Sequence, residues 1–533
     1  MKIFNPYFIT LGPHLRLLRL CINQAALLLN MKKIFCLLLL CCVLKKGVSQ
    51  NSVPVTVTID LRRTLQTIHN FAASDAWACQ FTGNWPDNKR GQLADWLFSS
   101  DTSASGQPKG IGLSMWRFNI GAGSAEQGDS SGIRDEWRRA ACFLQPDHTY
   151  NWEKQSGQQW FLQAAKARGV TRFLGFLNSP PVMFTRNGKA FADKGACNLA
   201  PGQYAAVAGF LKDVIRGVQK KTGVTLSYIS PVNEPQWDWS DGGQEGCPYN
   251  NEQIYGLTKA IDQQFSVHHV PAQLLITEAG QLNYLYASEN KPDKGRQINA
   301  FFDPKAATYL GNCKSIYRGI AAHSYFTTSP LDTAIAIRKR VAAALNGIAF
   351  WQSEYCILGN NAGEIDGSKV DLGMNAALYM ARVIHTDLTV ANASAWQWWL
   401  AISPYDYKDG LIYVDKNKTD GAIQDTKMLW VLGNYSRFVR PGAKRITVEL
   451  HDSTAVKNIF LSAYKNTDNS MDIIVINSGD TSASVAIQGK GIGTGGMRSY
   501  TTNATQNLAP AYISGNIATI PPRSVVTLTR KIK

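Results

Sequence analysis

The chain has 533 residues, a formal charge of +16, 45% hydrophobic residues and 18% charged residues. That is too long for one small core and too apolar for a disordered chain, so a barrel-sized domain with a smaller companion is expected. Seven Lys/Arg and no Asp/Glu fall in residues 1–49, which leaves 16 − 7 = +9 beyond them, and no basic block or motif of a nucleic-acid reader is present.

Met31-Lys32-Lys33, then the apolar run Ile34 to Leu44, then Gly47-Val48-Ser49 read as a secretory signal with a small-x-small cleavage site. The apolar run is too short to span a membrane. Residues 1–49 are therefore expected to be an upstream extension plus signal peptide. The mature protein is expected to be secreted or periplasmic, with no stable membrane insertion after cleavage. Six cysteines remain beyond residue 49, with no CxxC and no metal-ligand spacing, so no metal or other cofactor is expected. Cys197 and Cys247 fall in consecutive long loops, where a disulfide and two free thiols are both open.

Val53 to Asp60 alternates as a half-buried strand. Eight short apolar strands follow: Ile68–Trp77, Leu113–Gly121, Phe173–Ser179, Val224–Ile229, Leu274–Glu278, Gly319–Tyr325, Ala349–Glu354 and Ala393–Leu400. Helical patterns lie between them at Trp160–Arg168, Tyr204–Lys221, Asn251–Gln264, Thr333–Leu345 and Gly373–Thr386. This alternation predicts a (β/α)8 TIM barrel, an α/β fold whose active site lies at the C-terminal ends of the strands. Past Trp430 the pattern becomes short alternating strands with Gly/Asn/Asp turns, which predicts an appended β-sandwich. The expected organisation is residues 50–66 as an N-terminal strand joining the sandwich, 67–430 as the catalytic barrel and 431–533 as the sandwich.

Two strands end on glutamates. Ser230-Pro231-Val232-Asn233-Glu234-Pro235 follows the fourth, and a residue before proline is pushed out of the helical region, so Glu234 is expected at an abrupt strand end. Ala349 to Glu354 is the seventh. Being 354 − 234 = 120 positions apart, the two glutamates meet only through the fold, facing each other across the barrel mouth. Such a pair suits retaining glycoside hydrolysis, where one carboxyl donates a proton and the other attacks. Glu278 ends the fifth strand, either as a third carboxylate of the site or as a supporting partner of that pair.

Asn-Glu-Pro on strand four, Ser-Glu on strand seven, His323-Ser324-Tyr325 on strand six, Ser179-Pro180-Pro181 and Tyr435 to Gly442 together resemble glycoside hydrolase family 30. The resemblance covers about residues 53–530. It implies Glu234 as acid/base, Glu354 as nucleophile, Asn233 on the sugar 2-hydroxyl, His323 and Tyr325 around the nucleophile, and Trp399 as a stacking face. Arg117 on strand two is placed either on a carboxylate or in a barrel-interior ion pair. Asp75 and Trp77 at strand one are placed on the substrate or in a structural role. Asn178, before Ser-Pro-Pro, and Trp116 to Gly123 are more similar to the endo-β-1,6-galactanase branch of the family. The resemblance implies a secreted retaining enzyme acting on polysaccharide or oligosaccharide galactan. The alternatives are the same mechanism on β-1,6-glucan or xylan, or a non-catalytic carbohydrate-binding protein.

Overall fold

The computed structural model describes residues 54–532 apart from 360, 452–456 and 494. The expected leader, residues 1–49, and the start of the first strand at Val53 lie outside the described residues.

Eight parallel strands close into a barrel: β2 (Asn70–Ser74), β3 (Met115–Asn119), β4 (Arg172–Phe176), β5 (Tyr228–Ser230), β6 (Gln273–Ala279), β7 (Ile316–His323), β8 (Ala349–Glu354) and β9 (Ala395–Ser403). Pairing of β9 with both β8 and β2 completes the ring. Two further strands, β10 (Gly410–Val414) and β11 (Ile423–Asp425), extend the sheet from β9.

The period of two along a strand decides what each side chain does. On β3, Met115 points to the barrel axis and Trp116 and Phe118 to the outer core, so Arg117 is carried inside. On β9, Ala395 points inward while Trp396 and Trp398 are fully buried against the outer layer. Their ring N–H groups are satisfied there, by the Asp387 carboxylate at 2.9 Å and the Asp409 carbonyl at 2.6 Å. The lower barrel is plugged by Leu174, Leu275 and Trp351, with Tyr228, Tyr317 and His69 packed around the Trp351 ring. A solid floor of this kind confines polar chemistry to the upper mouth.

The outer helices bury one apolar stripe each. Tyr204–Thr222 packs Val207, Leu211, Val214 and Val218 on the barrel and stops at Gly223, whose φ of 71° suits glycine. Asn251–Val267 starts on a capping box between Asn250 and Gln253.

β1 (Val55–Thr67) precedes the barrel and pairs with β12 (Lys444–His451) and β15 (Ala483–Gln488). Nine strands in the order β17-β16-β19-β14-β13-β12-β1-β15-β18 wrap an apolar core that includes Val57, Ile59, Ile473, Val475 and Leu528. Here β13 is Ile459–Lys465, β14 Ser470–Asn477, β16 Met497–Thr502, β17 Ala509–Ile513, β18 Ile517–Ile520 and β19 Ser524–Lys531. The fold is thus a TIM barrel with a C-terminal β-sandwich. The helix Lys427–Ser436 joins them: Asn434 bonds the Tyr500 carbonyl and exchanges hydrogen bonds with Thr527.

Two expectations need correction. The fourth strand is only Tyr228–Ser230, because the chain from Val224 onward joins the ladder late. Glu234 lies beyond the strand end with φ 43°, in the left-handed region and not in the extended region usual before proline. Tertiary context overrides the local preference: the Glu234 N–H is held at 2.8 Å by the Glu278 carbonyl. Cys197 and Cys247 are neighbours but carry free thiols.

Candidate active site

Five barrel strands, β3, β5, β6, β7 and β8, supply a single hydrogen-bonded cluster. Glu354 ends β8, and one of its oxygens takes the Arg117 Nη1 donor at 2.5 Å. The other takes the Tyr325 hydroxyl at 3.0 Å. Arg117 also donates to the Asn233 side-chain oxygen at 3.2 Å, which fixes that oxygen as the acceptor and leaves the amide nitrogen as a donor. His323, at the end of β7 and fully buried, bridges Glu234 Oε1 at 2.9 Å and Glu278 Oε2 at 3.0 Å. Carboxylate oxygens of Glu234 and Glu354 and a ring nitrogen of His323 lie within 4.8 Å of one another.

Charge decides the protonation pattern. Glu278 is buried, which opposes ionisation, but the Arg117 charge and the His323 hydrogen bond win and hold its pKa at about 2. Ser230 and Ser353 hydroxyls complete its shell. Burial disfavours a charged His323, yet Glu354 nearby and the bonds to Glu234 and Glu278 raise its pKa to about 10. A doubly protonated ring donates from both nitrogens, which matches its two carboxylate contacts, to Glu234 and to Glu278. Glu234 is pushed upward, first by burial and further by the Glu354 charge, against the His323 hydrogen bond. Two like charges within 4.8 Å repel by about 3.5 kcal/mol at an effective dielectric of about 20. Burial and the Glu354 charge outweigh the His323 contact at Glu234, so among the buried carboxyls of the cluster it is the one shifted toward holding a proton.

Above the cluster lies a cleft of about 990 Å³ whose lining includes Glu234, Glu354, Tyr325, Trp77 and Trp399. Trp399 and Trp77 meet edge to face at 5.3 Å. Arg117 and His323 hold the carboxylates from behind, and Asn233 holds Arg117; none of the three is in the cleft lining. Asp75 and Asn178 are buried and outside that lining. Asp75 accepts the Asn119 N–H at 2.7 Å and has a pKa raised by burial to about 8. Asn178 reaches Asn119 at 3.5 Å.

Sequence reasoning missed the opposite walls: Trp237, Asp238 and Trp239 after Glu234, and Arg138, Tyr405 and Asp409 on the Glu354 side. Trp-Asp-Trp one residue after Asn-Glu-Pro was a readable aromatic signal, and the Trp239 ring N–H caps the Glu234 carbonyl at 3.1 Å. The other three come from distant loops with no local pattern.

Replacing Trp399 with alanine is expected to lower kcat/KM about tenfold, the scale of one aromatic contact, in addition to any loss of Tm. Full activity with only a lower Tm would make Trp399 a packing residue.

The chain matches the family model described as O-Glycosyl hydrolase family 30 over residues 54–413, and the Glycosyl hydrolase family 30 beta sandwich domain over 442–528. It is 25% identical over 412 residues to an endo-beta-1,6-galactanase of Hypocrea rufa, covering 74% of this chain and 76% of that protein. A conserved exported protein from Bacteroides fragilis is 33% identical, with a TM-score of 0.83, over 89% of this chain and 100% of that one. A GH30 xylanase C catalytic domain from Talaromyces cellulolyticus is 20% identical with a TM-score of 0.65, over 90% and 100% of the two chains.

Proposed function

This chain belongs to glycoside hydrolase family 30, and we propose that within it the protein is a secreted, retaining endo-β-1,6-galactanase. The observation that carries retention is the approach of Glu234 and Glu354 oxygens to within 4.8 Å. Retaining enzymes keep their carboxyl groups about 5–5.5 Å apart, whereas inverting enzymes need about 6.5–9.5 Å to admit a water between them.

In the first step Glu354 attacks the anomeric carbon while Glu234 passes its proton to the departing glycosidic oxygen. A glycosyl ester forms on Glu354, and the C1–O bond to the leaving sugar breaks. In the second step Glu234, now a carboxylate, takes a proton from water, which attacks the same carbon and releases Glu354. Arg117 and Tyr325 orient Glu354, and His323 holds Glu234 in reach of both steps. Asn233 offers its amide nitrogen to the sugar 2-hydroxyl, a contact that tightens in the transition state.

The galactan assignment is supported by the galactanase relative from Hypocrea rufa and by Asn178 and the Trp116–Gly123 motif. Export is supported by the signal-like run Met31–Ser49 and by the relative described as exported. The test is hydrolysis of β-1,6-galactan, β-1,6-glucan and xylan, with products sized by chromatography. Short β-1,6-galactooligosaccharides are expected. Release from glucan or xylan with none from galactan would transfer the activity to that polymer.

A further inference from the structure

Asp409 follows β9 and lines the cleft on the Glu354 side, yet its carboxylate is poorly provided for. Its Oδ1 is buried and accepts no hydrogen bond among the described residues. Burial raises its pKa to about 7, with Ser403 and the Arg138 charge pulling the other way. Arg138 lines the same wall. Its guanidinium sits 4.7 Å from the Trp77 ring and 5.1 Å from the Tyr405 ring, and its Nε is buried without a partner. An acceptor atom and a donor atom, each without a hydrogen-bond partner among the described residues, thus belong to two residues of one cleft lining, the donor side chain lying between two aromatic rings. Leaving such groups unpaired opposes folding, and a polar ligand is one of the few things that explains them.

We propose that Asp409 and Arg138 form a hydroxyl-reading pair for the glycone, resting on the hydrolase reading above. The departing sugar must reach Glu234, so it lies toward Trp237 and Trp239. The retained sugar then lies toward Trp77, Tyr405 and Asp409. Asp409 accepts from one ring hydroxyl and Arg138 donates to its neighbour, on the side of the ring away from the anomeric carbon. A site with few convergent polar groups among aromatic faces is how sugar-sized ligands are discriminated. A site built around a hydroxyl strongly rejects the analogue lacking it.

The experiment uses Asp409→Ala with aryl β-1,6-galactobioside and its monodeoxy analogues at the sugar carrying the aryl group. Asp409→Ala is expected to lower kcat/KM about 10²-fold, the scale of a hydrogen bond to a charged group. Its Tm should change little, because the Oδ1 it removes has no hydrogen-bond partner among the described residues and burial opposes the charge that is lost. On one deoxy analogue the variant and the wild type should be equal, and Asp409→Asn should fall between. A wild-type-like kcat/KM, or the same loss on every deoxy analogue, would overturn the pair. A wild type that cleaves none of the aryl glycosides of galactobiose, gentiobiose and xylobiose would sink the hydrolase reading, and this inference with it.

Discussion

Glu354→Ala is expected to abolish turnover of every glycan the wild type cleaves, because no other group in the cluster is placed to form the covalent intermediate. Arg117 and Tyr325 are spent on Glu354 itself, and Glu278 is enclosed by Arg117, His323, Ser230 and Ser353. Azide tests the assignment directly. The alanine leaves a gap where a small anion can enter, so an activated aryl glycoside should react again and yield a glycosyl azide of inverted configuration. Removing one partner of a buried ion pair costs about 3–5 kcal/mol, so Glu354→Gln with a native circular dichroism spectrum serves as the folded control. Rescue of Glu234→Ala but not of Glu354→Ala, giving the inverted azide, would exchange the two roles. An inverted first-formed sugar from the wild type, seen by proton NMR, would remove the retaining mechanism altogether.

The eight barrel strands were legible because each is a short apolar run between helical patterns, and burial on both faces demands that composition. Glu234, Glu354, Glu278 and His323 were legible for a related reason: a polar residue that ends such a run has only the barrel mouth to occupy. For Arg117 the sequence left two placements open, and the side chain makes both contacts, an interior ion pair with Glu278 and a donor to Glu354.

Other features had no such local signature. The helix Asp87–Phe98 carries Gly91 in its middle and four charges, which mask its apolar stripe. Strands β16 and β17, such as Met497-Arg-Ser-Tyr-Thr-Thr, are too polar for alternation to stand out. Arg138 and Asp409 are 409 − 138 = 271 positions apart and belong to loops, whose convergence depends on the path of the whole chain. Glu234 illustrates the limit best. Its identity was readable, but its left-handed backbone was not, since only the Glu278 carbonyl from another strand makes that conformation worthwhile.

Glu234→Gln separates the two chemical steps and is expected to lower kcat/KM on the natural glycan about 10²–10⁴-fold, the usual contribution of a general acid. The loss should depend on the leaving group. A sugar alkoxide departs poorly without a proton, so galactan should suffer most. A dinitrophenolate needs no proton, so its glycoside should keep a fast first step. The second step still needs a base to activate water, and glutamine cannot act as one, so glycosyl-enzyme should accumulate and appear as a burst. The pH dependence follows from the same assignment. Burial and the Glu354 charge raise the Glu234 pKa, and the first step uses the protonated form, so wild-type kcat/KM should be full below that pKa and fall as pH rises through it. Glutamine has no proton to lose in that range, so this alkaline limb should vanish in the variant. A limb that survives unchanged in Glu234→Gln, or a loss equal for galactan and the dinitrophenyl glycoside, would mean that another group donates the proton.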